Sequence, residues 1–289
     1  MTPGLIGLGL MGVPIAKRIL QAGFALQVWN RSPSRYTLLN NHPVTVAASL
    51  ADLAHACDTL LLCLSDESAV RQVLATLQPH LTARHTLVDL STISAQTTRE
   101  LAGELHHNHA VTWVDCPMSG GVTGAEQGRL ILMAGGTSET IEKLRPLLQS
   151  FSQRITLMGP VGSGQMTKLC NQLIVAANSL LIAEAVRLAE THGVDASQLA
   201  HALAGGFADS LPLQILAPRM ALRQHEPIQW RVTTLHKDLR MALEAAAQQG
   251  IELPVAARAL EQLTTAMAQW PRQDLSQIIG LYDDAASGY

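Results

Sequence analysis

The period of the chain changes once, near its middle, and that change limits what it can fold into. Up to about residue 159 short apolar runs alternate with helix-compatible stretches. GLIGLGL, ALQVW, TLLLCLS, TLVDLS, VTWVDCP, RLILMAGG and RITLMGP are the runs, and VPIAKRILQAG, SLADLAHA, Ala69 to Leu77 and TSETIEKLRPLLQ lie between them. Runs so uniformly apolar need cover on both faces, the condition of a parallel sheet between layers of helices. Ser49 and Ser138 stand where N-caps open two of those helices. From Gln165 no strand-like run returns. A helix from Gln165 to about His192 extends roughly 40 Å at 1.5 Å per residue. Its middle, LIVAANSLLIAEA, is apolar on nearly every side, so other helices or another subunit must surround it. Further helical stretches run from Ala196 to Ala204, Leu213 to Leu222, Leu235 to Gln249 and Pro254 to Trp270, separated by GG, Pro and HGVD breaks. The pattern predicts an α/β chain: a mostly parallel sheet domain over residues 1–163, then an all-helical domain over residues 164–289, joined by the long helix.

With 289 residues, 47% of them apolar and 15% charged, the chain can bury a substantial core. A net charge of -3 with no run of Lys or Arg argues against nucleic acid or an anionic membrane as partner and favours a small ligand. The cysteines, Cys57, Cys63, Cys116 and Cys170, contain no C-x-x-C pair and read as buried thiols. No charged n-region precedes the first strand, so a cytoplasmic address is expected. Leu173 to Ala189 is interrupted by Asn178, Ser179, Glu184 and Arg187, which reads as a core helix rather than a membrane span.

Gly7, Gly9 and Gly12 follow the first strand in G-x-G-x-x-G spacing, with Leu10 and Met11 between the last two, and open a helix-compatible run. In that setting the first glycine permits a tight turn, the second lets backbone approach a pyrophosphate, the third lets helix pack on strand, and the helix N-terminus faces the anion. The second strand ends in Asn30-Arg31-Ser32, where NAD-selective sites usually place a carboxylate for the ribose. Arg31 can stack on adenine or pair with a 2′-phosphate, which favours NADP; a solvated turn residue and acceptance of NAD as well are the alternative. Ser65-Asp66 and Ser91-Thr92 fall at strand ends where such sheets bind ligands, although helix capping accounts for them equally and is the better reading of Ser94.

In MSGG, Ser119, Gly120 and Gly121 place a hydroxyl and two open backbone N–H groups on one tight loop, which suits a carboxylate or is simply a turn. In GSGQMTKLCNQ, Lys168, Asn171 and Gln172 share a helical face, one cation with two amides; taken alone, a helical lysine is usually a surface residue. Lys237-Asp238 begins a later helix, with Arg231 just before it. His106, His107 and His109 lie in a polar connecting stretch with no thiolate or carboxylate at ligand spacing, so no metal is expected.

Together GLGLMG with NRS, DCPMSGG, GSGQMTKLCNQ and LHKDL span nearly the whole chain and resemble the β-hydroxyacid dehydrogenase family, which includes 3-hydroxyisobutyrate dehydrogenase and 2-hydroxy-3-oxopropionate (tartronate semialdehyde) reductase. The resemblance implies a Rossmann-type domain followed by an all-helical one and an NAD(P) cofactor held by Gly7 to Gly12, Asn30 to Ser32, Ser65, Asp66, Thr92 and Lys237. It places a small carboxylate substrate at Ser119 to Gly121, with Lys168 catalytic and Asn171 beside it; Arg231, six residues before Lys237, is a further candidate for the substrate, with surface solvation as the alternative. The Asn171-Gln172 pair, AGGFADS and WRVTTLHKDL look more like the tartronate semialdehyde reductase branch, while Gln172 and Met118 depart from the commoner Asn and Val. A homodimer or homotetramer is expected from the apolar long helix. An imine reductase is the rival on the same architecture, but it typically lacks a lysine here; a non-catalytic NADP-binding sensor is the other.

Overall fold

The structure, a computed structural model, describes residues 1–283. β1 (Pro3–Ile6), β2 (Gln27–Trp29), β3 (Thr45–Val46), β4 (Thr59–Leu62), β5 (Thr86–Asp89) and β6 (Thr112–Asp115) are parallel, in the order β3-β2-β1-β4-β5-β6. The order runs outward from β1 in both directions, so the chain reverses sense between β1 and β4, where sheets of this type bind ligands. β7 (Met118–Ser119) and β8 (Leu130–Gly135) pair antiparallel, β8 meets β6 antiparallel at Asp115–Gly135, and β9 (Ser152–Gly159) runs parallel to β8.

Alternate residues of each central strand enter different cores. Leu5, Leu61, Val88 and Val114 join one cluster with Ile15, Ile19 and Phe151; Ile6, Leu60, Leu62, Leu87 and Trp113 join another with Leu53, Val70 and Leu74. Both faces are therefore dry, as the unbroken apolar runs require. Connecting these strands are α1 (Gly12–Gln21), α2 (Leu50–Ala56), α3 (Glu67–Leu77), α4 (Ala95–His109), α5 (Gly121–Gln127) and α6 (Ser138–Leu148). Then come α7 (Ser163–Thr191), α8 (Leu199–Leu203), α9 (Leu211–Ala221), α10 (Val232–Ala247) and α11 (Pro254–Gln269). The chain divides into two compact units after Lys168. The second has its own core, in which Ala176, Leu180, Ala183 and Val186 of α7 meet Leu213, Leu216, Met220, Leu235, Leu239 and Leu263.

Several local expectations need correction. The cap of α6 is Thr137, not Ser138: Thr137 is the extended residue, and its hydroxyl accepts from the Thr140 N–H at 3.2 Å. His106, His107 and His109 occupy the last turn of α4, not a connecting stretch, where the helix carbonyl end favours basic side chains. That helix escapes a periodicity reading because its buried face mixes Thr97 and Thr98 with Leu101 and Leu105. α10 begins at Val232, so Lys237 and Asp238 stand in its second turn and Arg231 is the N-cap residue. Cys170 is exposed; Cys57 and Cys116 are buried and Cys63 is half-buried. Among the described residues no three His, Cys, Asp or Glu side chains converge on a metal-sized site. α7 is long and apolar enough to cross a membrane by length and composition, and part of its apolar surface lies in the helical core.

Candidate active site

The three glycines after β1 are separated by what surrounds them. A Cβ on Gly7, whose φ is 104°, would lie 2.3 Å from the Cys63 carbonyl oxygen, and one on Gly12 would lie 2.0 Å from the Gly7 oxygen. Both positions are closed by backbone. A Cβ on Gly9 would meet nothing within 4 Å, so that glycine serves no internal contact and leaves its backbone open to a ligand. α1 then begins at Gly12 with no side-chain cap and no acid in its first turn, whereas Ser49, Asp66, Ser94 and Thr137 cap α2, α3, α4 and α6. An uncapped N-terminus keeps its N–H groups for an anion. Together the open glycine and uncapped helix fit the pyrophosphate of a dinucleotide.

Asn30 latches this loop: its Oδ1 accepts from the Leu8 N–H at 2.8 Å and its Nδ2 donates to the Ser32 carbonyl at 3.0 Å. Arg35, which sequence reading passed over, donates from Nε to the Leu8 carbonyl at 2.9 Å. Its signal was a second arginine four residues beyond Arg31. Arg31, Ser32 and Leu10 are exposed and Met11 is half-buried. At the next strand ends the Ser91 hydroxyl accepts from the Leu64 N–H at 3.0 Å, Ser65 donates to Asp66 at 2.7 Å, and Asp66 accepts from the Ala69 N–H, so Ser65 and Asp66 form a helix cap. Thr92 is half-buried beside Ser91. Burial pushes the Cys57 thiol up to about 11 and the Cys63 thiol up to about 12, so neither is a thiolate nucleophile at neutral pH.

Ser119 sits in β7 opposite Ile131, and Gly120 and Gly121 follow with φ of 122° and 62°. Only glycine turns there without strain, and a Cβ on Gly121 would meet nothing within 4 Å. The loop thus leads a hydroxyl through Gly120 into the N-terminus of α5, which lacks a side-chain cap.

Four residues before this loop lies a carboxylate that sequence reading did not single out. Asp115, wholly buried at the end of β6, accepts from the Gly162 N–H at 2.7 Å and the Gln165 N–H at 2.8 Å. It caps the first turn of α7 from 47 positions away. Gly135 and Gly164 make room for it, since a Cβ on either would come within 2.4 Å and 2.9 Å of an Asp115 oxygen. Burial raises the Asp115 pKa above the ordinary carboxylate value, opposed by the N–H donors of the turn. The side chain of Gln165, also fully buried, donates to the Ser91 carbonyl at 2.8 Å and accepts from the Ile93 N–H at 3.3 Å. The start of α7 is thereby pinned to β5 and β6, and one turn later the helix presents Lys168, only 7% exposed. At that burial Lys168 is not the solvated surface residue that a lone helical lysine usually is.

Within the second unit Asn171 and Lys237 are joined through two buried groups. Asn171 Nδ2 donates to Gln172 Oε1 at 2.9 Å, Gln172 Nε2 donates to Asp238 Oδ2 at 2.5 Å, and Lys237 Nζ lies 3.1 Å from Asp238 Oδ1. Asp238 was visible only as the partner in a Lys-Asp pair. Arg231 is exposed, and its backbone bridges to Asp274.

Residues 2–159 match the family model described as the NAD binding domain of 6-phosphogluconate dehydrogenase, and residues 162–282 the one described as NAD-binding of NADP-dependent 3-hydroxyisobutyrate dehydrogenase. The chain is 34% identical over 272 residues to the 2-hydroxy-3-oxopropionate reductase of Escherichia coli (strain K12), covering 93% of this chain and 92% of that one. The chain belongs to the β-hydroxyacid dehydrogenase family. It is an NAD(P)-dependent oxidoreductase acting on hydroxyl groups, built on a Rossmann-type sheet domain followed by an all-helical domain. Two solved structures are similar over its length. One is the 3-hydroxyisobutyrate dehydrogenase of Mycobacterium tuberculosis with L-serine, at 27% identity and a TM-score of 0.88 over 98% of this chain and 99% of that one. The other is Psf3 in complex with NADP+ and 2-OPP, at 26% identity and a TM-score of 0.89 over 97% and 100%.

For this dehydrogenase the glycine loop yields a paired prediction. Gly12→Ala forces a Cβ onto the Gly7 carbonyl and is expected to lower Tm, whereas Gly9→Ala is expected to leave Tm unchanged and weaken NAD(P)H binding by about tenfold or more. Thermal unfolding and NADPH titration of the two variants check it; equal effects on both readouts would remove the distinction.

Proposed function

We propose that this dehydrogenase interconverts a small 3-oxo acid and its hydroxy acid, with 2-hydroxy-3-oxopropionate as the preferred substrate type, NADP as the preferred cofactor and Lys168 as the general acid and base. The observation that carries the reading is a lysine 7% exposed, one turn into a helix whose start is fixed by Asp115 and Gln165, and three residues before Asn171. Residues 1–163 hold the cofactor, and residues 164–289 carry Asn171, Lys237 and the contacts of assembly. Bound NAD(P) supplies or accepts the hydride. Gly9 and the N-terminus of α1 hold the pyrophosphate, and Arg31 with Ser32 meets the 2′-phosphate, for which the absence of a carboxylate after β2 is the support. Ser119 Oγ and the N–H groups of Gly120 and Gly121 hold the substrate carboxylate. In reduction, Lys168 gives its Nζ proton to the carbonyl oxygen as carbon is reduced; in oxidation, it takes the hydroxyl proton. Asn171 orients the reacting oxygen, and Arg231 provides a second cation for the acid.

The identity of 34% to the Escherichia coli reductase, together with the Asn171-Gln172 pair, supports this substrate over 3-hydroxyisobutyrate. The ratio of kcat/KM for tartronate semialdehyde to that for methylmalonate semialdehyde tests it: a ratio above one is expected, and a ratio well below one moves the enzyme to the 3-hydroxyisobutyrate branch. Assembly is part of the proposal. Ile174, Leu181 and Leu188, each 58% to 63% exposed and seven residues apart, leave a stripe on α7, and only 44% of its most apolar window is buried. A second copy covering that stripe is expected, and sedimentation at the mass of one chain would contradict it.

A further inference from the structure

The buried pair Gln172 and Asp238 has no part in the mechanism so far, although both side chains are about 1% exposed and both touch residues that do. Their chemistry imposes a direction. A carboxylate offers only acceptors, so Asp238 requires Gln172 to turn its NH2 end toward α10. The Gln172 amide is planar, so its carbonyl oxygen then faces Asn171, which must answer with its own NH2. With that N–H committed, the carbonyl oxygen of Asn171 lies at the opposite end of its planar amide. The same carboxylate holds the Lys237 ammonium through its second oxygen.

We propose that Asp238 and Gln172 are positioning residues: the carboxylate sets the polarity of the two amides so that Asn171 offers an acceptor to the reacting hydroxyl or to Lys168, and it fixes Lys237 at the same time. The proposal rests on the reading of Lys168 and Asn171 given above. Without the carboxylate, either amide can turn over, and an inverted Asn171 offers donors where the ammonium of Lys168 already donates.

A reversal of the pair tests this without removing a hydrogen bond. In D238N an amide faces an amide and the polarity is no longer dictated. In Q172E two carboxylates face each other. In Q172E/D238N the carboxylate stands at 172, accepts from the amide at 238 and still accepts from Asn171, so the polarity at Asn171 returns while Lys237 has lost its counter-charge. With tartronate semialdehyde, 3-hydroxyisobutyrate and L-serine as probes, D238N and Q172E are each expected to lower kcat by about tenfold or more in folded protein. The double variant is expected to recover kcat to within about threefold of wild type while KM for NADPH stays raised. A merely structural pair would show losses of Tm without this separation of kcat from cofactor KM. D238N with wild-type kcat, or a double variant at least as impaired as the worse single one, overturns the proposal. If D238N does not fold, Q172M removes only the middle link and is expected to lower kcat with cofactor KM unchanged; an unchanged kcat overturns it equally. Lys168→Ala measured alongside separates the two levels. If it turns over normally the reading of the site falls, whereas if it is inactive and D238N is normal only the relay falls.

Discussion

Lys168→Ala is expected to lower kcat by about 10²- to 10⁴-fold, the usual contribution of a positioned proton donor, while NADPH affinity changes little. The lysine is buried on a helix fixed at its first turn, so the loss arises at the reacting oxygen and not from a displaced cofactor loop. Lys168→Arg separates charge from proton transfer. An arginine keeps the cation but does not release its proton at neutral pH, so it too is expected to lose most of kcat. Steady-state kinetics beside NADPH titration read both variants; an arginine variant with near wild-type turnover would assign Lys168 an electrostatic role only.

Asp115→Ala has the second large effect, on both stability and rate. It strips the buried N–H groups of Gly162 and Gln165 of their acceptor, and each orphaned donor costs about 1–3 kcal/mol. Because those N–H groups open α7, the helix start shifts and Lys168 with it, and even about 1 Å of misplacement lowers rate by up to about a hundredfold. Asp115→Asn keeps one acceptor and falls between alanine and wild type at neutral pH. The pH dependence has a definite sign. Burial raises the folded pKa of Asp115 above its ordinary 3.8, so its contribution to stability is full below that value and is lost as pH rises through the folded pKa. Denaturant unfolding across acidic pH shows this loss in wild type and not in Asp115→Asn; parallel profiles would contradict it.

The sheet was legible because its strands are buried on both faces: Leu5 and Ile6, or Val88 and Leu87, go to opposite cores, and only an unbroken apolar run satisfies both. The glycine loop was legible because backbone crowding at Gly7 and Gly12 admits no other residue. α4 and α5 were not, since one buries threonines and the other is a seven-residue helix that starts on Gly121 and is stopped by Gly128. In the proposed site, Lys168 and Asn171 are suggested by spacing along one helix, and Ser119 to Gly121 by a run of three residues. Asp115, Gln165 and Asp238 could not. Each acts on a partner many positions away, Asp115 on Gly162 and Gln165, Gln165 on Ser91 and Ile93, and Asp238 on Gln172. Local pattern carries no trace of such pairings. Arg35, which meets the Leu8 carbonyl from 27 positions away, escapes a local pattern for the same reason.

The most direct test follows the absorbance of reduced nicotinamide with wild type and Lys168→Ala side by side, against tartronate semialdehyde, 3-hydroxyisobutyrate, succinic semialdehyde, glycerate, L-serine and threonate, each with both cofactors. Wild type is expected to turn over tartronate semialdehyde fastest and with NADPH, and Lys168→Ala to bind NADPH but turn over none of them appreciably. Tight NADPH binding by wild type with no turnover of any acid, or equal turnover by the two proteins, would contradict the assignment of Lys168 as the proton donor of a small-acid dehydrogenase.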